Sequence, residues 1–122
     1  MPDATTTLAD LRRQLAEFVA AREWQRYHDA KNLAMAIAIE AAELMEHFQW
    51  TRSDELAELL ADPVRRAAVA DEVADITCFV LGMANALGLD LSDAVVAKMR
   101  KNEAKYPVAE FRGRYYKPGR AE

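Results

Sequence analysis

The chain has little of what most folds and several function classes require. Its 122 residues include one cysteine, four glycines and four prolines. With Cys78 alone, no intrachain disulfide can close and a four-sulfur zinc site is excluded, which fits a reducing cytoplasm. So few glycines and prolines, against 52% apolar residues, disfavour the turn-rich pattern of a β-sandwich and favour long helices. A basic excess is also missing. Asp and Glu number 20 against 16 Lys and Arg, spread along the chain, so no footprint for duplex nucleic acid is present. The start, Met1 to Thr7, has neither the basic residues nor the apolar stretch of a signal peptide, and acids or helix stops break the longest apolar runs. A soluble, cytoplasmic, all-α protein with no membrane partner is the expectation, and 122 residues leave room for one domain.

Hydrophobic spacing and cap residues divide the chain. Thr7 and Asp10 resemble a capping pair ahead of Leu8, Leu11, Leu15, Phe18 and Val19, predicting a first helix from about Leu8 to Arg22. The piece from Glu23 to Ala30 is rich in aromatic and hydrogen-bonding groups, has no period, and reads as a working loop. A second helix is expected from about Lys31 to Trp50, and Ser53 is a cap for a short one through Ala61. Asp62-Pro63 opens a third main helix that runs to Leu87, where Gly88 supplies a left-handed stop. Asp90 and Asp93 start the last, ending near Lys105. Tyr106 to Glu122, with Pro107, Gly113, Pro118 and Gly119, reads as an irregular arm. The second and third main helices are apolar around most of their circumference. A chain this short has few elements to cover them, so a homo-oligomer is expected to complete the four-helix bundle.

Two acidic pairs interrupt that apolar sequence. Leu33 to Met45 carries no polar residue except Glu40 and Glu43, and Glu72 and Asp75 repeat the spacing on the third main helix. Three residues apart on a helix means the same face, one turn apart. Acids crowded into apolar surroundings lose hydration and repel one another, so something must compensate. No Lys or Arg lies at the neighbouring turns, where Ala36, Ile37, Ile39, Leu44 and His47 stand. A divalent cation is the simplest compensator, and an oxygen-only ligand set suits Mg2+ or Mn2+ better than zinc. Iron is disfavoured because neither pair has a histidine three residues on. The bland alternative is an exposed acidic strip that solvates two helices. Cys78, amid apolar residues, reads as a small buried side chain.

Taken together, Glu23-Trp24, Tyr27-His28, Lys31-Asn32-Leu33, Glu40-Ala41-Ala42-Glu43-Leu44, Phe48-Gln49-Trp50, Asp71 to Asp75, and Lys98-Met99 through Asn102 to Tyr106-Pro107 resemble the MazG-like all-α nucleoside triphosphate pyrophosphohydrolases. The similarity is greatest to the dCTP pyrophosphatase branch and runs from about Leu11 to Tyr116. It implies a homotetramer that hydrolyses a nucleoside triphosphate, dCTP or a modified dCTP first, to the monophosphate and pyrophosphate. It further implies that Glu40, Glu43, Glu72 and Asp75 bind Mg2+ and form the catalytic centre. Trp24 and Trp50 would hold the base with His28 nearby, and Lys31, Lys98, Asn102 and Tyr106 are candidates for phosphate or sugar contacts. Two positions depart from vertebrate members of that branch: Leu15 replaces a nucleotide-contacting histidine, and Phe79, on the substrate side, replaces a tyrosine. Another deoxynucleotide such as dUTP, a phosphoribosyl-ATP-like compound, or a module that binds nucleotide without turnover are the alternatives.

Overall fold

The computed structural model describes residues 1–114, all of whose regular structure is helical. Six α-helices follow one another: α1 (Leu8–Ala21), α2 (Ala30–Glu46), α3 (Leu56–Ala61), α4 (Pro63–Leu87), α5 (Leu91–Lys105) and α6 (Val108–Phe111). The chain divides into two compact units, Met1–Leu89 and Asp90–Glu122.

In the first unit α4 is the element on which the others pack: α2 lies against it most extensively, then α1 and α3. Local chemistry fixes the ends of these helices. Thr7 Oγ1 accepts from Asp10 N at 3.1 Å while Thr7 N donates to Asp10 Oδ2 at 3.0 Å, a reciprocal capping box for α1. Bonds that the Asp10 carboxylate accepts from Thr7 N, Thr7 Oγ1 and Arg13 lower its pKa to about 2. Asp62 Oδ1 caps α4 by accepting from Val64 N at 2.9 Å, Pro63 takes the first helical position, and Gly88 closes the helix at φ 61°. Arg12 clamps that end to α1, donating from Nε to Asn85 Oδ1 at 2.9 Å and from Nη1 to the Leu89 carbonyl at 2.7 Å. Asn85 Nδ2 returns a bond to the Arg12 carbonyl at 3.1 Å.

Sequence and structure differ in four places. Helix α2 stops at Glu46, and His47, Phe48, Gln49 and Thr51 instead donate to carbonyls three residues back, tightening the chain into successive turns. Ser53 is the first residue of a 3-10 turn, Ser53–Glu55, opened by Arg52 N donating to Glu55 Oε2 at 3.3 Å. Cys78 is exposed, as are Val73 and Thr77 on the same helix. The expected irregular arm holds the short α6, and residues 115–122 lie outside those described.

The second unit is built on α5, capped by Asp90 Oδ1 accepting from Asp93 N at 2.9 Å. The ring of Tyr106 meets Phe111 edge to face at 5.1 Å. Among the described residues no single helix is long and apolar enough to cross a membrane.

Leu33, 1% exposed, is the most enclosed large side chain, and the Gly82 backbone on α4 faces its methyl groups together with those of Leu15. Leu33→Ala should lower the unfolding free energy by about 2–5 kcal/mol, read from denaturant melts. A loss under about 1 kcal/mol would mean that this contact is not the centre of the core.

Candidate active site

Because α2 and α4 pack side by side, Glu40 and Glu43 of α2 meet Glu72 of α4. One carboxylate oxygen from each of Glu40, Glu43 and Glu72 lies within 4.8 Å of the other two. Glu40 and Glu72 are half-buried and Glu43 is exposed. Glu40 Oε2 and Glu72 Oε2 are fully buried, and neither receives a hydrogen bond from any N–H or hydroxyl. Among the described residues, none of these acids forms an ion pair with Lys, Arg or His.

The crowding has an electrostatic consequence for the carboxyls. The Glu40 carboxyl is pushed up, first by its contact with Glu72, which favours a proton between them, then by burial and by the charges of Glu72 and Asp75. Contact with Glu40 likewise raises Glu43. Orphaned buried oxygens and all-oxygen donors are what a hard divalent cation satisfies, so Glu40, Glu43 and Glu72 could hold one.

Asp75 stands outside that three-residue group but lines the cavity next to it. This cavity, about 350 Å³, is walled by Leu15, Phe18, Trp24, His28, Cys78 and Phe79, with Asp75 among them. Its size falls at the small end of the range for ligand sites, and it is mostly apolar. Trp24 meets Phe18 edge to face at 5.9 Å and lies nearly parallel to His28 at 6.5 Å. A charged centre and an aromatic recess therefore adjoin within one unit. That pairing matches a ligand with a planar apolar part and a polyanionic part.

The MazG-like family model matches residues 35–118, more than half of the chain. The chain belongs to the MazG-like family. It is 40% identical to dCTP pyrophosphatase 1 of Bos taurus over 107 residues, 88% of this chain and 63% of that protein. The Homo sapiens dCTP pyrophosphatase 1 is 39% identical over 102 residues, 84% of this chain and 60% of its own length. The chain thus spans under two thirds of these curated relatives. A pyrophosphatase from Archaeoglobus fulgidus of known crystal structure superposes with a TM-score of 0.78 at 42% identity, covering 88% of this chain and 98% of that one. That pyrophosphatase and this chain share one fold.

In this MazG-like chain the expected site residues separate into groups. Glu40, Glu43 and Glu72 converge, and Asp75, Trp24, His28 and Phe79 meet in the adjoining recess. Leu15 and Phe79, the two positions expected from the resemblance to depart from its vertebrate members, line that same recess. Trp50 does not join Trp24: it is 88% exposed and borders another cavity, of about 320 Å³, with Glu46, His47 and Arg65. Lys31 is exposed at the start of α2 and belongs to neither the acidic group nor the Trp24 recess. Lys98, Asn102 and Tyr106 sit on or just after α5 in the second unit, the first two exposed and Tyr106 half-buried. Phe18 is a wall that sequence reading took only as part of the apolar period of α1. The available signal was its place in a run of rings, Phe18, Trp24, Tyr27 and His28, around one helix end.

The raised carboxyls set a sign for stability. A carboxyl whose pKa rises on folding stabilises the folded chain while protonated, fully below its ordinary range, and that stabilisation is lost as pH climbs through the raised value. The metal-free protein should therefore melt at a lower temperature at pH about 8 than at about 5. Mg2+ should raise the melting temperature more at the higher pH, and Glu40→Gln should flatten both responses. A metal-free melting temperature that climbs over this interval would contradict the assignment.

Proposed function

We propose that the chain is a Mg2+-dependent nucleoside triphosphate pyrophosphohydrolase that converts dCTP or a modified dCTP to the monophosphate and pyrophosphate, a clearance activity on the nucleotide pool. The observation that carries this reading is the junction at Asp75 of a carboxylate cluster with an aromatic recess. Similarity to dCTP pyrophosphatase 1 from several mammals supports the choice of substrate.

Glu40, Glu43, Glu72 and Asp75 would hold the ion. When bound it would neutralise charge on the triphosphate and draw electron density from the α-phosphorus. The side chains divide the remaining tasks. Trp24 and Phe79 offer flat apolar faces on which a base stacks, while His28, half-buried beside Trp24, supplies a hydrogen-bonding edge. Water attacks the α-phosphorus, the bond to the bridging oxygen breaks, and pyrophosphate leaves. One of the two glutamates Glu40 and Glu43 would orient that water and take its proton. Of the two, Glu43 is the more exposed.

Trp50, Lys31, Lys98, Asn102 and Tyr106 remain secondary candidates for nucleotide contact. We read residues 1–122 as a single catalytic domain with a C-terminal arm at 107–122, acting as a cytoplasmic homotetramer. The large apolar residues left exposed on α2, Met35 and Ile39 at 57% each and Met45 at 70%, are the surface a second copy would cover.

The test is product analysis. Purified protein with dCTP and Mg2+ should yield dCMP and pyrophosphate by chromatography, and a panel of canonical and 5-modified deoxynucleotides should rank dCTP-like substrates first. Glu40→Gln and Asp75→Asn should each lower turnover by about 10- to 100-fold or more. Release of inorganic phosphate, or turnover unchanged in both variants, would sink the proposal.

A further inference from the structure

We propose that Arg22 is a positioning residue for the Trp24 recess: it borders the cavity's aromatic walls from outside and holds them in place for the base. The inference rests on the reading that this recess takes the base of the substrate.

The backbone delivers Trp24 to this position in an unusual way. Helix α1 ends without glycine. Glu23 takes up the left-handed conformation instead, at φ 52°. Glu23 N then donates to the Ala20 carbonyl at 3.0 Å and Trp24 N to the Val19 carbonyl at 3.1 Å, the paired bonds of a Schellman close. The Trp24 backbone is thereby folded back onto the last turn of α1. Those bonds fix its main chain, but the large ring is 42% exposed and needs a separate constraint.

Arg22 supplies it. Its Cζ lies 3.7 Å from the centre of the Phe18 ring and 5.9 Å from that of Trp24. Nη1 donates to the Phe18 carbonyl at 3.1 Å, which fixes the guanidinium over the ring. Among the described residues Arg22 pairs with no carboxylate, so these aromatic faces and one carbonyl are its anchors. Phe18 and Trp24 meet edge to face, and both line the cavity while Arg22 does not. A cation against the two rings favours one arrangement of the pair, and the base would then meet a preformed surface. A plainer role exists: a cation at the C-terminus of a helix stabilises it whatever lies nearby. The two roles differ in what they change.

Steady-state kinetics with dCTP and Mg2+ decide between them. Arg22→Ala and Arg22→Met should raise KM by about three- to fivefold, with a smaller change in kcat, because binding shared by ground and transition states is lost. Arg22→Lys should fall between these and the parent. Met keeps the stem without the charge, so it also covers the case in which Ala fails to fold. In a Trp24→Ala background, Arg22→Met should add less than about twofold, since its effect passes through the ring. A melting temperature lowered with KM unchanged would reduce Arg22 to a helix cap and overturn the inference. Full multiplication of the two effects would overturn it too, because Arg22 would then act on the substrate directly. If Trp24→Ala alone leaves KM unchanged, the recess does not bind the base, and the functional reading fails together with the inference.

Discussion

Like charges brought within a few ångströms, with part of their surface taken from water, form the constraint around which this chain is organised. Glu40 and Glu72 each turn one oxygen into the α2–α4 contact with nothing to receive a hydrogen bond from. Glu43 completes the group and Asp75 adds charge from the next turn of α4. Ionised together, these groups repel more strongly than they would in water, and no basic side chain among the described residues stands in to balance them. The helices nonetheless pack together, with Leu33 of α2 enclosed against Gly82 of α4. A proton held between Glu40 and Glu72 relieves part of that repulsion, and a divalent cation could relieve it further.

Asp75 links that constraint to the rest of the unit. It lies one turn beyond Glu72, so helical geometry obliges it to share a face with the acidic group. A further turn along the same helix come Cys78 and Phe79, which with Asp75 border the aromatic recess. Helix α1 contributes Leu15 and Phe18 from across the groove, and the folded-back segment after it contributes Trp24 and His28. Acidic cluster and recess are thus neighbours because one uninterrupted helix, 25 residues long, carries elements of both.

Much of this was legible in the sequence, and the exceptions have physical causes. The acidic pairs announced themselves because they interrupt apolar sequence at a spacing that only a helix turns into one surface. The bounds of α4 were legible because Asp62-Pro63 and Gly88 act locally, through a cap bond, a fixed φ and a left-handed stop. The end of α2 was not, because Phe48, Gln49 and Trp50 continue the composition of a helix while the hydrogen bonds shift from four residues back to three. Cys78 misled for a related reason. Apolar neighbours in sequence imply burial only if the chain has enough elements to cover every face, and among the described residues Val73, Thr77 and Cys78 of α4 stay exposed. The separation of Trp50 from Trp24 is a tertiary fact with no local signal.

Leu15 and Phe79 bear on how sharply such a site could discriminate. Both face the recess, and neither offers a donor or an acceptor. A pocket that recognises by shape alone gains only about 10- to 200-fold per methylene, and it rejects an added hydroxyl weakly. Strong rejection arises where a buried polar group of the protein would be left without its partner. On the proposed reading the charged or imidazole side chains lining this recess are His28, half-buried, and Asp75, which is exposed and would also serve the charged end of the site. Base choice on the proposed reading therefore concentrates on one imidazole and on the tightness of the aromatic walls. That is why the order imposed on Phe18 and Trp24 by a residue outside the cavity has chemical weight.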